Sequence, residues 1–123
     1  MQLENDRRSE RRVRFFWPLW FGYSDRGELF RGQLIDLCPS GVCFAVDENH
    51  CPGVGQHVLT RFSYPYNEDE NFQLADYTSW AEVIRVDNSV PGRRRVAMRL
   101  HRRLENPPSE NLATPQFASL AGA

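Results

Sequence analysis

Two stretches of this chain carry side chains suited to gripping a ligand. The first is Arg7-Arg8-Ser9-Glu10-Arg11-Arg12, which places four guanidiniums in six residues just ahead of the first apolar run. A guanidinium is a planar fork of donors that holds a phosphate, pairs bidentately with the O6/N7 edge of guanine, or stacks on a base. So dense a cluster suggests a partner that is both anionic and aromatic. Taken alone, it also fits a solvated basic arm. The second stretch is Asp36-Leu37-Cys38-Pro39-Ser40-Gly41. Here Asp36 can accept two parallel hydrogen bonds from a flat donor pair such as guanine N1–H and N2–H. Cys38 and Ser40 can present small groups to the same ligand, and Gly41 lets backbone approach it. The competing reading is an Asx-type turn capped by its own aspartate.

Other reactive residue types are present without a recognisable pattern. Cys38, Cys43 and Cys51, with His50 and His57 nearby, invite a zinc reading because thiolate and imidazole are zinc's usual ligands. There is no C-x-x-C pair, and adjacent residues of a strand point to opposite faces, so the expectation is reduced, buried or half-buried thiols and no metal site. His50 and His57 read as surface residues. No serine, cysteine or paired carboxylate forms a nucleophile motif around them, and the chain is expected to be neither an enzyme nor dependent on a cofactor.

The elements that must position these residues follow from the pattern. A chain of 123 residues is one domain with one modest core. No apolar run has membrane-spanning length and residues 1–10 are polar and charged, so a cytoplasmic protein without membrane insertion is expected. The net charge of −1 makes any basic function local. All fifteen of its lysine-plus-arginine residues are arginine, a bias that a GC-rich genome produces unaided. They concentrate at Arg7 to Arg14 and again at Arg93, Arg94, Arg95, Arg99, Arg102 and Arg103.

In Val13 to Tyr23 the odd positions Val13, Phe15, Trp17, Leu19 and Phe21 form one apolar face, the period of a strand. Pro18 cannot donate to a ladder, so this strand lies at an edge or carries a bulge. Phe16 and Trp20 fall on the other face and want a cover, a subunit contact being one. Ser24 to Glu28 reads as a hairpin turn in which Gly27 supplies a positive φ. Further strands are expected at Phe30 to Cys38, Val42 to Val46, His57 to Tyr64, Ser79 to Val86 and Arg93 to His101, with the acidic stretch Tyr64 to Asp76 a solvated loop. Arg95 and Arg99 fall on the outer face of the last strand, where they solvate it and blunt an edge, or help hold a ligand's phosphates. Thr114-Pro115 could start a short helix that Phe117 and Leu120 anchor, or the tail is disordered. The fold class is therefore all-β: a small six-stranded antiparallel β-barrel with a short C-terminal helix or disordered tail. Its units are an N-terminal arm over 1–12, the barrel over 13–103 and a tail over 104–123.

Taken together and in order, Arg8-x-x-x-Arg12, a strand, a hairpin, a second strand and Asp36-x-Cys38-x-x-Gly41 resemble the PilZ domain. That family carries RxxxR followed by D/NxSxxG on a small antiparallel barrel, and many members bind the bacterial second messenger cyclic di-GMP. The resemblance covers roughly Arg7 to His101. It implies that Arg8 and Arg12 are the motif arginines, gripping guanine edges and phosphates, that Asp36 takes the Watson–Crick edge of a guanine, and that Gly41 shapes the loop. Arg7 stands just before the motif, where an arginine in some relatives goes with an intercalated pair of ligands rather than one. Cys38 departs from the pattern by replacing serine, and a thiol is a weaker donor and acceptor and is larger. The function implied is a single-domain cyclic di-GMP receptor, monomeric or weakly dimeric, whose arm folds over the ligand to signal to a protein partner. Two alternatives stand beside it. One is a PilZ-like adaptor that binds protein and not the nucleotide. The other, a single-strand nucleic-acid binder using the Arg93 to Arg103 face, ranks below both.

Overall fold

The computed structural model describes residues 13–14 and 16–109. The strands are β1 (Val13–Arg14), β2 (Pro18–Gly22), β3 (Phe30–Cys38), β4 (Gly41–Asp47), β5 (His57–Glu68), β6 (Asn71–Asn88) and β7 (Arg93–Leu100), with one 3₁₀ turn at Glu48–His50. Every pairing is antiparallel, in the order β2-β5-β6-β7-β4, and β3 joins both β2 and β4. Six strands thus close on themselves into a barrel. The two-residue β1 adds to the same side of β3 as β2, further along it.

The alternation read in the sequence is what fills the barrel. Leu19 and Phe21 of β2 are fully buried, as are Leu34 and Leu37 of β3, Phe44 of β4, Val58 of β5 and Val96 of β7. Phe16 and Trp20, on the other face of the first apolar stretch, stay exposed. Thr60 is the one buried polar side chain among the described residues, and its hydroxyl donates to the Val58 carbonyl at 3.3 Å. The edge strand expected from Pro18 is not found, since β2 pairs with both β3 and β5; the missing donor is tolerated by the position of Pro18. That residue opens β2, pairing with Gln33 of β3 before the pairing with β5 begins at Leu19.

Three further sequence expectations need correction. The stretch Tyr64 to Asp76 is not a loop: β5 and β6 continue through it as a long hairpin paired from His57↔Glu82 to Glu68↔Asn71. Its turn residues Asp69 and Glu70 take φ of 52° and 66°, the left-handed pair that suits a tight hairpin to the twist of its strands. Pro65 does not break β5, because its carbonyl accepts from Ser109 N–H at 3.0 Å on the edge away from β6. Its missing donor lies on that same edge, outside the ladder. The second correction concerns Gly27, which is absent from the positive-φ residues; Gly55 and Gly92 are the glycines there. What Gly27 provides is space, since a Cβ would stand 2.7 Å from the Ser24 hydroxyl.

The third concerns the barrel's C-terminal side, where order continues beyond residue 103. Leu104 is buried with the core, its N–H bonding the Pro39 carbonyl at 2.9 Å. Tyr77 donates its hydroxyl to the Arg102 carbonyl at 2.8 Å and Tyr64 to that of Asn106 at 3.0 Å. Residues 101–109 therefore lie as a strap across one end of the barrel. The expected helix start at Thr114-Pro115 lies outside the described residues.

Candidate functional site

The second sequence motif is set in place by a bulge. Pairing of β3 with β4 slips between Leu34 and Asp36. Under strict alternation Leu34 and Asp36 would share a face; the extra residue Ile35 instead lets Leu34 and Leu37 both enter the core and turns Asp36 outward. Beyond it the hairpin closes at Cys38↔Gly41 around Pro39 and Ser40. Both turn carbonyls are engaged, Ser40 by the Leu100 N–H at 2.9 Å and Pro39 by the strap. Cys38 Sγ lies 3.9 Å from the Ser40 hydroxyl, so the two small polar groups of the motif are neighbours. Gly41 sits in a close approach: a Cβ there would lie 3.1 Å from the Met98 carbonyl of β7.

Register then lays out the outer surface beside this hairpin. Across β3, β4 and β7 the rows are Gln33–Ala45–Arg95, Asp36–Cys43–Ala97 and Cys38–Gly41–Arg99. Because Val42, Phe44, Val46, Val96 and Met98 point inward, the half-buried Gly41, Ala45 and Ala97 form the outward layer between them, with the buried Cys43 in the row of Asp36 and Ala97. They make a floor of small residues. Asp36 stands at one side and the two arginines at the other, two strands across and in the rows on either side of its own. A floor of this kind can admit a flat ring system, with a carboxylate for ring N–H donors and guanidiniums for anionic oxygens.

The sequence-predicted residues divide as follows. Asp36, Cys38 and Gly41 come together on this hairpin, half-buried. Arg95 is exposed in the row that passes Ala45. Arg99 turns the other way, its Nη2 donating to Glu82 Oε1 at 2.7 Å, and that hydrogen bond holds the Glu82 carboxyl below its ordinary range. A role for Arg99 in holding phosphate competes with this pair. Arg7, Arg8 and Arg12 lie outside the described residues. The chain leaves them at Val13, whose partner in β3 is Leu37, with Arg14 opposite Asp36.

Sequence reasoning missed a second feature. An open groove of about 880 Å³ lies on the outer face of β2, β5 and β6 beneath the loop after β2, lined by Trp17, Trp20, Arg26 and Arg61 among others. Trp20 and Arg61 are partners in the β2–β5 pairing, and Arg31 lies over the Trp20 ring at 5.8 Å. The exposed Trp20 was a sequence signal for this groove; the non-local pairing that puts Arg61 beside it was not. The thiols are partly or wholly covered. Burial is the main cause that raises the Cys51 thiol above its ordinary value, with Arg94 acting in the opposite sense.

No protein-family model matches the chain, and no curated protein matches it. Among solved structures, the chain is similar to the Bacillus subtilis inhibitor of motility, MotI/DgrA, with a TM-score of 0.62 at 10% identity. The match covers 92% of this chain and 50% of that one, so the chain spans about half the length of its structural neighbour. At that identity the likeness is one of fold, an all-β barrel consistent with the PilZ-like architecture that the paired motifs resemble.

Proposed function

We propose that the chain is a regulatory receptor for cyclic di-GMP. The observation that supports this reading is the pairing of β1 with β3, which brings the chain emerging from Arg12 alongside Asp36 and the Gly41 hairpin. The two halves of the motif are far apart in sequence, and this register sets Val13 and Arg14, the residues that follow Arg12, opposite Leu37 and Asp36. In this reading Asp36 accepts from the Watson–Crick edge of a guanine, the small floor admits the ring, and Arg8 and Arg12 close over the phosphates and the second guanine edge. Arg95 is the nearer candidate for an additional phosphate contact, since Arg99 is paired. Fixing a charged arm on ligand changes the surface offered to a protein partner. No step is chemical; the chain acts by binding alone.

The exposed groove carrying Trp20 and Arg61 favours one other reading, a PilZ-like adaptor that docks protein without the nucleotide. A thermal-shift titration separates the two. The receptor predicts a melting temperature that rises with cyclic di-GMP concentration and stays flat with GTP. A flat response to both favours the adaptor.

A further inference from the structure

On the outer face at the far end of the Cys38–Gly41–Arg99 row, Nδ1 of His57 and Nε2 of His101 face each other at 3.0 Å. Their rings are steeply inclined, 71° between planes with centroids 4.9 Å apart. Both belong to ordered backbone. His57 opens β5 opposite Glu82 of β6, and the His101 N–H bonds the Trp80 carbonyl of the same strand at 3.0 Å. The two imidazoles thus converge from either side of β6, on side chains open to solvent.

We propose that His57 and His101 form a bidentate site for a borderline divalent transition metal of the nickel, copper or zinc class. Metal–imidazole bonds are about 2.0–2.1 Å, so two nitrogens bound cis to one ion stand roughly 2.9–3.3 Å apart. The observed separation already lies in that span. Without metal the pair is an N–H···N hydrogen bond, with one ring donating and the other accepting. On binding, the donating ring moves its proton through solvent to its other nitrogen, so both rings remain neutral and each gives the ion a lone pair. A small swing of the exposed rings aims both lone pairs at one point. Among the described residues no group of three or more potential ligands is found, so water completes the coordination sphere. Glu82, whose Oε1 accepts from Arg99, contributes negative charge nearby. Imidazole suits nickel, copper and zinc, whereas magnesium prefers oxygen. The bound ion would clip the start of β5 to the first residue of the strap, raising the stability of the barrel end.

The test uses the full chain without a purification tag, in a buffer free of chelator. Nickel(II) is titrated calorimetrically and by thermal shift, with magnesium as the control and His57→Gln, His101→Gln and His50→Gln as variants. The site predicts one nickel per chain and a rise in melting temperature. Affinity falls at least tenfold in either of the first two variants and is unchanged in His50→Gln, whose ring instead packs on Phe30 at 4.9 Å. Paramagnetic broadening of the His57 and His101 ring signals in the unaltered chain locates the ion independently of any variant. No saturable nickel binding overturns the proposal. So does binding that persists in both variants, or broadening confined to other residues.

Discussion

Arg14 stands directly opposite Asp36 where β1 pairs with β3, immediately past the bulge that turns Asp36 out of the core. That single juxtaposition connects the arginine-rich segment to the aspartate loop. It also makes Asp36 the residue whose loss distinguishes a ligand site from a stable barrel. Asp36→Asn is expected to weaken cyclic di-GMP binding at least tenfold, about 1.4 kcal/mol, because one acceptor for the guanine edge becomes a donor. Cys38→Ser is expected to keep or strengthen binding, since a hydroxyl is the better hydrogen-bonding group. Equilibrium titration of the two variants checks both directions.

Gly32 faces the barrel interior, and a Cβ there would stand 2.6 Å from the Phe44 ring and 3.0 Å from the Ala45 carbonyl. Gly32→Val is therefore expected to destabilise the fold by about 1–3 kcal/mol through overpacking. Chemical denaturation measures it, as a lower midpoint at unchanged slope.

The strap over the barrel end depends on two tyrosine hydroxyls. Burial is the first cause that pushes Tyr64 above the ordinary phenol range, so at neutral pH its hydroxyl keeps the proton it donates to Asn106. Tyr64→Phe and Tyr77→Phe each remove one donor and are expected to cost about 0.5–1.5 kcal/mol. Faster hydrogen exchange at the Leu104 amide would accompany that loss if the strap loosens as described.

How much of this could be read beforehand depended on whether the signal was local. The Phe30–Cys38 strand, the apolar face through Leu19 and Phe21, and the hairpin after Cys38 all follow from alternation and turn residues a few positions apart. The long β5–β6 hairpin was hidden because Asn67 to Asn71 is polar and Pro65 reads as a breaker. Both are tolerated for reasons that only pairing reveals: a left-handed turn pair at Asp69-Glu70 and a proline facing the edge away from β6. At the candidate site, the hairpin that carries Asp36, Cys38 and Gly41 was legible. The floor of Cys43, Ala45 and Ala97 was not, because it is assembled from strands more than fifty residues apart in sequence.

Glu82 supplies a prediction in pH. Its hydrogen bond to Arg99, with smaller help from the charges of Arg99, His57 and His101, lowers its folded-state pKa. A depressed carboxyl contributes stability above its unfolded pKa, about 4.3 for glutamate, and loses it as pH falls through the folded value. Glu82→Gln should therefore lower the melting temperature slightly at pH 7, with the difference from the unaltered chain vanishing in acid. The pair is solvent-exposed, so added salt should also shrink the difference. Melting curves between pH 7 and pH 3 at two salt concentrations read out both trends.

The central claim is that the Arg7–Arg12 segment and the Asp36 hairpin bind cyclic di-GMP together, and isothermal titration tests it most directly. Cyclic di-GMP is titrated into the unaltered chain and into Arg8→Ala and Arg12→Ala, with GTP as control. The expected result is saturable binding of the cyclic dinucleotide alone, weakened at least about tenfold by either substitution. A stoichiometry of two ligands per chain would assign Arg7 to an intercalated pair. Absence of heat at high ligand concentration, or binding indifferent to both arginines, would contradict the account.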